Sequence, residues 1–321
     1  MFVLKSEIII GDYVFHSVHD IEINKSVSEL GDTAVIKMPR RFKIRHNNET
    51  VYTEKAIKPG DTVVIKLGYE GKYEGIEFKG YVKKVNPKTP LEIHCEDSIW
   101  LLRRKTINQS FGSTNLKKVL EEIIKDTPIK LSKKIPDVQF EKYVIRGKNG
   151  AQALQEIIES TALSAFIDDD NNLYCGLVEG TNIGETAIYD LNYNIVSNDL
   201  EIMDNSSYKV FVKYTYTSPK GEKTIVTTGD KDGEAKDYKT TIISDPVMLK
   251  KLADEAYKNL KKEGLSGSVT SFLIPFATRG MVAEIRDNEH PHLEGNYFIK
   301  KVTTTFGMQG ARRKIEISNR L

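Results

Sequence analysis

The chain has 321 residues, room for two or three domains at ~100 to 200 residues each, and its 39% hydrophobic and 29% charged content with only 10 Pro excludes a disordered chain. Its 47 Lys and Arg nearly balance 45 Asp and Glu, for a net charge of +2. That balance argues against nucleic acid or an anionic membrane as the main partner and points to a protein partner.

The two cysteines, Cys95 and Cys175, are too few for a metal cluster or a disulfide scaffold and fit a reducing compartment. The opening "MFVLKSEIIIGDYVF" is interrupted by Glu7 and Asp12 and lacks a small-residue cleavage site, so it fails as a signal peptide. No stretch reaches the ~18 uninterrupted apolar residues of a membrane span. A soluble protein made in the cytosol is expected.

From residue 2 to about 102 the apolar period is two, with Gly-Asp turns before "TAVIKMP" and "TVVIKLGYEG", which predicts antiparallel sheet. In "PLEIHCEDSIWLL", Leu91, Ile93 and Cys95 alternate with Glu92, His94 and Glu96. Trp100 follows at the join, where its ring can cover the end of a core. Glu96 and Asp97 are neighbours on a strand, so they point to opposite faces and are expected at a solvated strand end.

The period then becomes helical. After Ser113 and Thr114 as capping candidates, Leu116, Val119, Leu120, Ile123 and Ile124 form one apolar face, predicting a helix over 114–126. A second helix is predicted from Asn149 or 150 to 163, with Leu154, Ile157, Ile158 and Ala162 on one side. "LSAFIDDDNNLYCGLV" then predicts two strands around an Asp/Asn turn. Asp168, Asp170, Asn172 and Glu179 have calcium-loop spacing, but Leu173 stands where such loops need Gly, and a hairpin turn is the expectation.

Strands return in "DLEIMDNSSYKVFVKYTYTS" and "EKTIVTTGD", and "GDKDGEAKDYKT" is expected to be a mobile surface loop. A long helix over 246–263 is predicted, with Asp245 as N-cap, Pro246 in its first turn, Leu249, Leu252, Ala253, Ala256 and Leu260 as its stripe, and Gly264 as its stop. Lys258, Lys261 and Lys262 lie where the helix dipole favours cations. The ending "SVTSFLIPF", "GMVAEIRD", "GNYFIKKVTTTFG" and "RRKIEISNRL" reads as sheet.

"FKGYVKKV" at 78–85 is echoed by "GNYFIKKV" at 295–302. Each follows a Gly and a β-branched strand, Gly60 with "DTVVI" and Gly280 with "MVAEI". The ordered match predicts a duplicated unit.

No catalytic set is present. "GYEGKYEG" lacks the spacing of a phosphate-binding loop, no HExxH occurs, and "GLSGS" at 264–268 is expected to cap a helix instead of presenting a nucleophile. "HPH" at 290–292, with Asp287, Glu289, His16 and His19 as conceivable helpers, has no third ligand placed by sequence, so a polar hairpin is expected and no metal or cofactor. "RRFKIRHNNE" at 40–49 and "GARRKIE" at 310–316 are basic without a stacking platform, and are expected as solvated faces.

Taken in order, "KPGDTVVIKLGYEG", "FKGYVKKV", "IHCEDSIWLLRRKTINQSFGSTNLKKVLEEI", "YVIRGKNGAQALQEIIESTALSAFIDDDNNLYCGL" and "GNYFIKKVTTTFGMQGARRKIEISNRL" resemble the baseplate hub proteins of contractile phage tails, the late control D type, related to the hub part of the VgrG spikes of type VI secretion. The resemblance implies a β-rich α+β chain: a tube-like β-barrel domain over 1–105, a small α+β domain over 106–185, and a second tube-like domain over 186–321 that carries the long helix. It implies a homotrimeric, pseudo-sixfold ring that is a structural part and no enzyme, adapting a tail tube protein to a central spike, touching other baseplate proteins, and assembled into a virion tail or phage-like particle. VgrG-type chains continue into a spike and this one stops at Leu321, so the spike is expected as a separate polypeptide. Neither a membrane nor sequence-specific nucleic acid is implied as a partner. The ring-assembly residues expected on this basis are Val63, Ile65, Tyr81, Val82 and Val85 in the first unit, and Val282, Ile285, Phe298, Ile299 and Val302 in the second.

The rival readings are a carbohydrate- or ligand-binding module using "YKVFVKYTY" and a cell-wall hydrolase. Tyr208 and Tyr214 share a strand face with Val210 and Val212, which suits a buried sheet better than an open sugar platform. The hydrolase lacks an acid and base pair.

Overall fold

The computed structural model describes all residues except 1, 45–48, 162, 179–181, 183, 206, 219 and 262, and the side chain of residue 319. Twelve strands make the frame. The first six are β1 (Leu4–Ile10), β2 (Asp20–Ser26), β3 (Thr33–Met38), β4 (Thr62–Tyr69), β5 (Tyr73–Asn86) and β6 (Leu91–Glu96). The second six are β7 (Thr186–Asp190), β8 (Ile195–Asp204), β9 (Glu263–Ser271), β10 (Val282–Arg286), β11 (Gly295–Gly307) and β12 (Gly310–Arg320).

The first six pair in the order β2-β3-β6-β5-β4-β1, and the second six in the order β8-β9-β12-β11-β10-β7. Position for position, the two orders are the same. One difference is that β1 runs antiparallel to β4 while β7 runs parallel to β10. Alternation builds each unit: β3 buries Ala34, Ile36 and Met38, and β4 buries Val63, Ile65 and Leu67, with intervening residues facing outward. The units join through β11, whose C-terminal half pairs with β2 from Lys301↔Ser26 to Gly307↔Asp20. Among the described residues no closed barrel is formed, and the sheet remains open.

The helices are α1 (Leu116–Ile124), α2 (Gly150–Thr161) and α3 (Pro246–Leu260). Helix α1 is capped by Asn115, whose side chain accepts from Lys118 N–H at 3.0 Å, so neither Ser113 nor Thr114 is the cap. Thr114 and Asn115 are instead paired as a short strand with Gln139–Phe140. Helix α2 starts on a reciprocal cap, in which Gln152 N–H donates to Asn149 Oδ1 and Asn149 N–H to Gln152 Oε1, both at 2.9 Å. Ala162, expected on its stripe, lies outside the described residues. For α3 the Asp245 cap holds, accepting from Val247 and Met248 N–H.

Three expectations need correction. Helix α3 ends at Leu260, not 263, and Gly264 with the rest of "GLSGS" belongs to β9; Gly264 has φ +97° and an added Cβ would sit 2.9 Å from the Tyr297 hydroxyl, so close ring packing explains the glycine. Lys262 lies outside the described residues, while Lys261 pairs with Asp230 at 3.1 Å. The polar stretch expected as a loop holds the strand Glu234–Thr240, parallel to Val210–Thr217; as a largely exposed edge strand it needs no apolar alternation, only backbone partners.

The helices and the strands between 106 and 176 share one core with residues 210–253: Leu116, Leu120, Leu154 and Ile157 pack in the cluster that holds Val210, Val212, Leu249 and Leu252. Residues 205–262 are thus an insertion between β8 and β9, where the first unit has only the connection 27–32. The expected boundary at 185 has this core on both sides.

Candidate functional site

The echo seen in sequence is a repeat of hydrogen bonds. Gly60 N–H donates to the Val82 carbonyl at 2.8 Å and Val82 N–H to the Asp61 carbonyl at 2.8 Å; Gly280 N–H donates to the Ile299 carbonyl at 2.9 Å and Ile299 N–H to the Met281 carbonyl at 2.9 Å. Gly60 and Gly280 have φ of +101° and +84°, a conformation that L side chains rarely adopt, which explains why glycine stands at both. Tyr81 faces Thr62 as Phe298 faces Val282. A bulge follows at the same place, between Val82 and Lys84 and between Ile299 and Lys301, after which Val85 faces Ile93 and Val302 faces Ile315. A bulge ejects one residue and turns the strand. Here it ejects Lys83 in one unit and Lys300 in the other.

Of the residues expected to build the assembly, Val63, Ile65, Val82, Val282, Ile285, Phe298, Ile299 and Val302 are buried in the chain's own cores. Tyr81 and Val85 are half-buried. Tyr81 stacks on Trp100, centroids 5.2 Å apart, and Arg104 lies over the indole at 4.5 Å.

Two charged joints were missed by sequence reasoning. Arg313 on β12 is fully buried and pairs with buried Glu77 on β5 at 2.5 Å. It also donates to the Leu273 and Pro275 carbonyls and lies over the rings of Phe276 and Tyr73. This corrects the solvated-face reading of "GARRKIE". Parity holds the signal, because Ala311, Arg313, Ile315 and Ile317 share one buried face.

At the second joint Arg279, just before Gly280, donates to Asp32 at 2.9 Å and to Asp169 at 3.2 Å, and to the Ile167 carbonyl. Lys25 reaches Asp169 at 2.8 Å, and Thr278 donates to it at 3.1 Å. Asp97 accepts from Asp32 N–H at 2.8 Å and Ile99 N–H at 2.9 Å. Asp97 and Glu96 are both buried, not solvated; Glu96 holds a forked pair with Arg103 at 2.9 to 3.1 Å. The cluster ties the hairpin tip 168–171 to both sheet units. That tip is a turn, as expected, with Asp168 accepting from Asp170 and Asn172 N–H and Asn171 at φ +64°. Glu179, the last calcium-loop candidate, lies outside the described residues.

Burial raises the carboxyl pKa of Asp32, against the pull of Arg279 and Lys25. It raises that of Asp97 too, with the Asp32 charge adding to it. For Asp169 burial also pushes upward, but Lys25 and Arg279 outweigh it and hold the group well below the usual carboxylate range. Three carboxylates face two cations, which favours the protonated form on the Asp32 and Asp97 side. A carboxyl raised on folding contributes stability below its unfolded value and loses it as pH rises through its folded value, here about 8 for Asp97. Resistance to urea is therefore expected to fall from about pH 5 toward pH 8, with Asp97→Asn flattening the slope. A flat profile for the unaltered protein would contradict the raised carboxyl pKa values.

Among the described residues no group of three or more His, Cys, Asp or Glu is placed to hold a metal ion. His290 pairs with Asp287 at 3.1 Å, just ahead of a short 3-10 helix over Pro291–Leu293. Val210, Val212, Tyr214 and Tyr216 are buried, with Tyr214 stacked on Tyr238 at 5.1 Å, so the strand from Val210 offers no open aromatic platform on that face. No described helix is long and apolar enough to cross a membrane.

No protein-family model matches the chain, and no curated protein matches it. Solved structures do. A tail protein from Neisseria meningitidis superposes with a TM-score of 0.68 at 13% identity, covering 99% of this chain and 97% of that one. The 43 kDa tail protein of prophage MuSo2 from Shewanella oneidensis gives 0.65 at 15% identity, over 98% of both chains. The Escherichia coli c3393 protein, a component of the type VI secretion system described as similar to the T4 bacteriophage tail proteins gp27 and gp5, gives 0.60 at 10% identity, over 98% of this chain and 77% of that one. At these identities the likeness establishes the fold, and this chain has the fold of phage-tail and secretion-spike proteins across nearly its whole length.

Proposed function

We propose that this chain is a structural baseplate hub of the late control D type, three copies of which form a pseudo-sixfold ring that adapts a tail tube to a central spike. The observation that carries the reading is the duplicated six-strand unit, alike in strand order, in the glycine-led hydrogen bonds and in the bulge. Duplication lets a threefold object present six nearly equal faces, which suits a joint between a sixfold tube and a threefold spike. The fold shared with tail proteins supports the same reading.

On this reading each unit is one segment of a tube-like wall that copies of the chain complete; residues 1–105 and 186–321, apart from the insertion 205–262, supply the walls, and 106–185 forms an outer domain on which that insertion packs. Val63, Ile65, Val82, Val282, Ile285, Phe298, Ile299 and Val302 act from inside, holding the wall strands in shape. Tyr81 and Val85 lie nearer the joining surface. The tube protein, a central spike and other baseplate proteins are the partners, and the work is done by surface complementarity without catalysis. Light scattering across a concentration series is expected to give a mass about three times 36.3 kDa. A monomer at every concentration, alone and with the spike protein, would overturn the reading.

A further inference from the structure

The join between the two units of one chain has a counterpart that the chain leaves open. Within the chain, β11 turns its C-terminal half to β2, with Val302 opposite Lys25 and Lys301 opposite Ser26. Val27 N–H donates to the Lys300 carbonyl at 3.0 Å, Thr303 donates to Asn24 at 2.8 Å, and Lys301 pairs with Glu29 at 3.1 Å. The equivalents of β11 and β2 are β5 and β8. Among the described residues β5 pairs only with β4 and β6, so the outer side of residues 84–86 faces no strand, and β8 pairs only with β9 and ends the sheet.

The pairing registers fix the correspondence. Lys84 and Lys301 stand at the same rung, through His94, Val35 and Glu22 in one unit and through Glu316, Ser268 and Asp199 in the other. Glu22 thus corresponds to Asp199, and Lys25 and Ser26 to Ile202 and Met203. Burial agrees: Val302 and Ile23 are 2% and 1% exposed at the closed join, whereas their counterparts Val85 and Leu200 are only half-buried, and Ile202 is 64% exposed. A long edge strand with bare apolar side chains is a template for pairing with another chain. The charges match as well, with exposed Lys84 on one edge, beside Lys83 and Lys88 that pair with Glu96 and Glu92 at 3.3 and 2.9 Å, and Asp199 and Glu201 on the other.

We propose that β5 of one copy pairs antiparallel with β8 of the next, in the register Lys84 opposite Met203, Val85 opposite Ile202 and Asn86 opposite Glu201. Val85 and Ile202 then meet on one face, in the place of Val302 and Lys25. The Lys83 carbonyl accepts from Asp204 N–H of the neighbour, as the Lys300 carbonyl accepts from Val27. The seam rests on the hub reading and deepens it, since the edges differ and the contact is head-to-tail, the kind that closes a ring when successive copies are related by a threefold rotation.

The test is a double variant, Val85→Cys with Ile202→Cys. Strand partners lie within disulfide reach, and Cys95 and Cys175 are buried and silent. Mild oxidation of the full chain is expected to convert most of the monomer band into covalent dimers and trimers that reductant reverses, with neither single variant doing so. A trimer by light scattering that resists cross-linking here and at Lys84→Cys with Met203→Cys overturns the seam while leaving the hub reading intact. Folded protein that never assembles overturns both. A charge exchange guards against misfolding of the cysteine variants: Lys84→Glu with Lys88→Glu is expected to lose the trimer, and adding Asp199→Lys with Glu201→Lys to restore it. Failure of the exchange to restore a trimer lost by the first pair also counts against the seam.

Discussion

Replacing Arg313 by methionine is expected to lower the unfolding free energy by about 3 to 5 kcal/mol, because it leaves Glu77 as an unpaired charge in a dry interior. Glu77 is 2% exposed, and its remaining partner is the Tyr73 hydroxyl at 2.7 Å. Tyr73 stays a neutral hydroxyl, since burial and then the Glu77 charge push its pKa upward, so it can donate a hydrogen bond to Glu77 but supplies no positive charge. The guanidinium also satisfies the Leu273 and Pro275 carbonyls, which methionine cannot do. Removing both charges, with Glu77→Leu added, is expected to recover much of the loss, since a buried pair often contributes little over an apolar replacement. Urea titration of the two variants checks this. Equal stability of the single variant and the unaltered protein would show that the joint between β5 and β12 is not load-carrying.

Val82→Asp and Ile299→Asp are each expected to destabilise by more than about 4 kcal/mol, by burying a carboxylate with no cation to meet it. Both side chains are fully buried, and both residues sit at the glycine-led turn of hydrogen bonds. If the two units are equivalent, the two losses should agree within about 1 kcal/mol, the spread that context gives to like substitutions. Such variants lose assembly by losing the fold, so they test the duplication and not the ring. Val85→Asp separates the two: Val85 is half-buried at the open edge, so folding is expected to survive while trimers are lost. Thermal melts and light scattering on the three variants read the difference, and a large gap between Val82→Asp and Ile299→Asp would contradict the equivalence.

The sequence made the duplication legible because its strongest marks are local: a glycine at positive φ, a β-branched strand and a Lys-Lys at a bulge. Helices α1, α2 and α3 were equally plain, since each carries an apolar stripe at helical spacing. What stayed hidden was long-range. Nothing in "YKVFVKYTY" tells that Val210 and Val212 pack with Leu116 and Leu154, nor that α3 serves the middle core. The strand Glu234–Thr240 was misread because a solvated edge strand needs only backbone partners, and its side chains carry no alternation. Asp97 was misread as solvated and Arg279 was passed over, because Arg279 meets its partners Asp32 and Asp169, and Asp97 the backbone of Asp32, at separations no local pattern spans. Arg313 was different: its parity with Ala311, Ile315 and Ile317 was available, and a charged residue on an apolar face is the mark of a buried partner.

The central claim is a threefold ring with six nearly equal segments. End-on electron micrographs of the purified protein test it most directly. A hollow ring of six inner lobes around a central opening, with a threefold pattern of outer domains, is expected. Averages with no rotational symmetry, or a ring whose inner lobes number other than six, would contradict it.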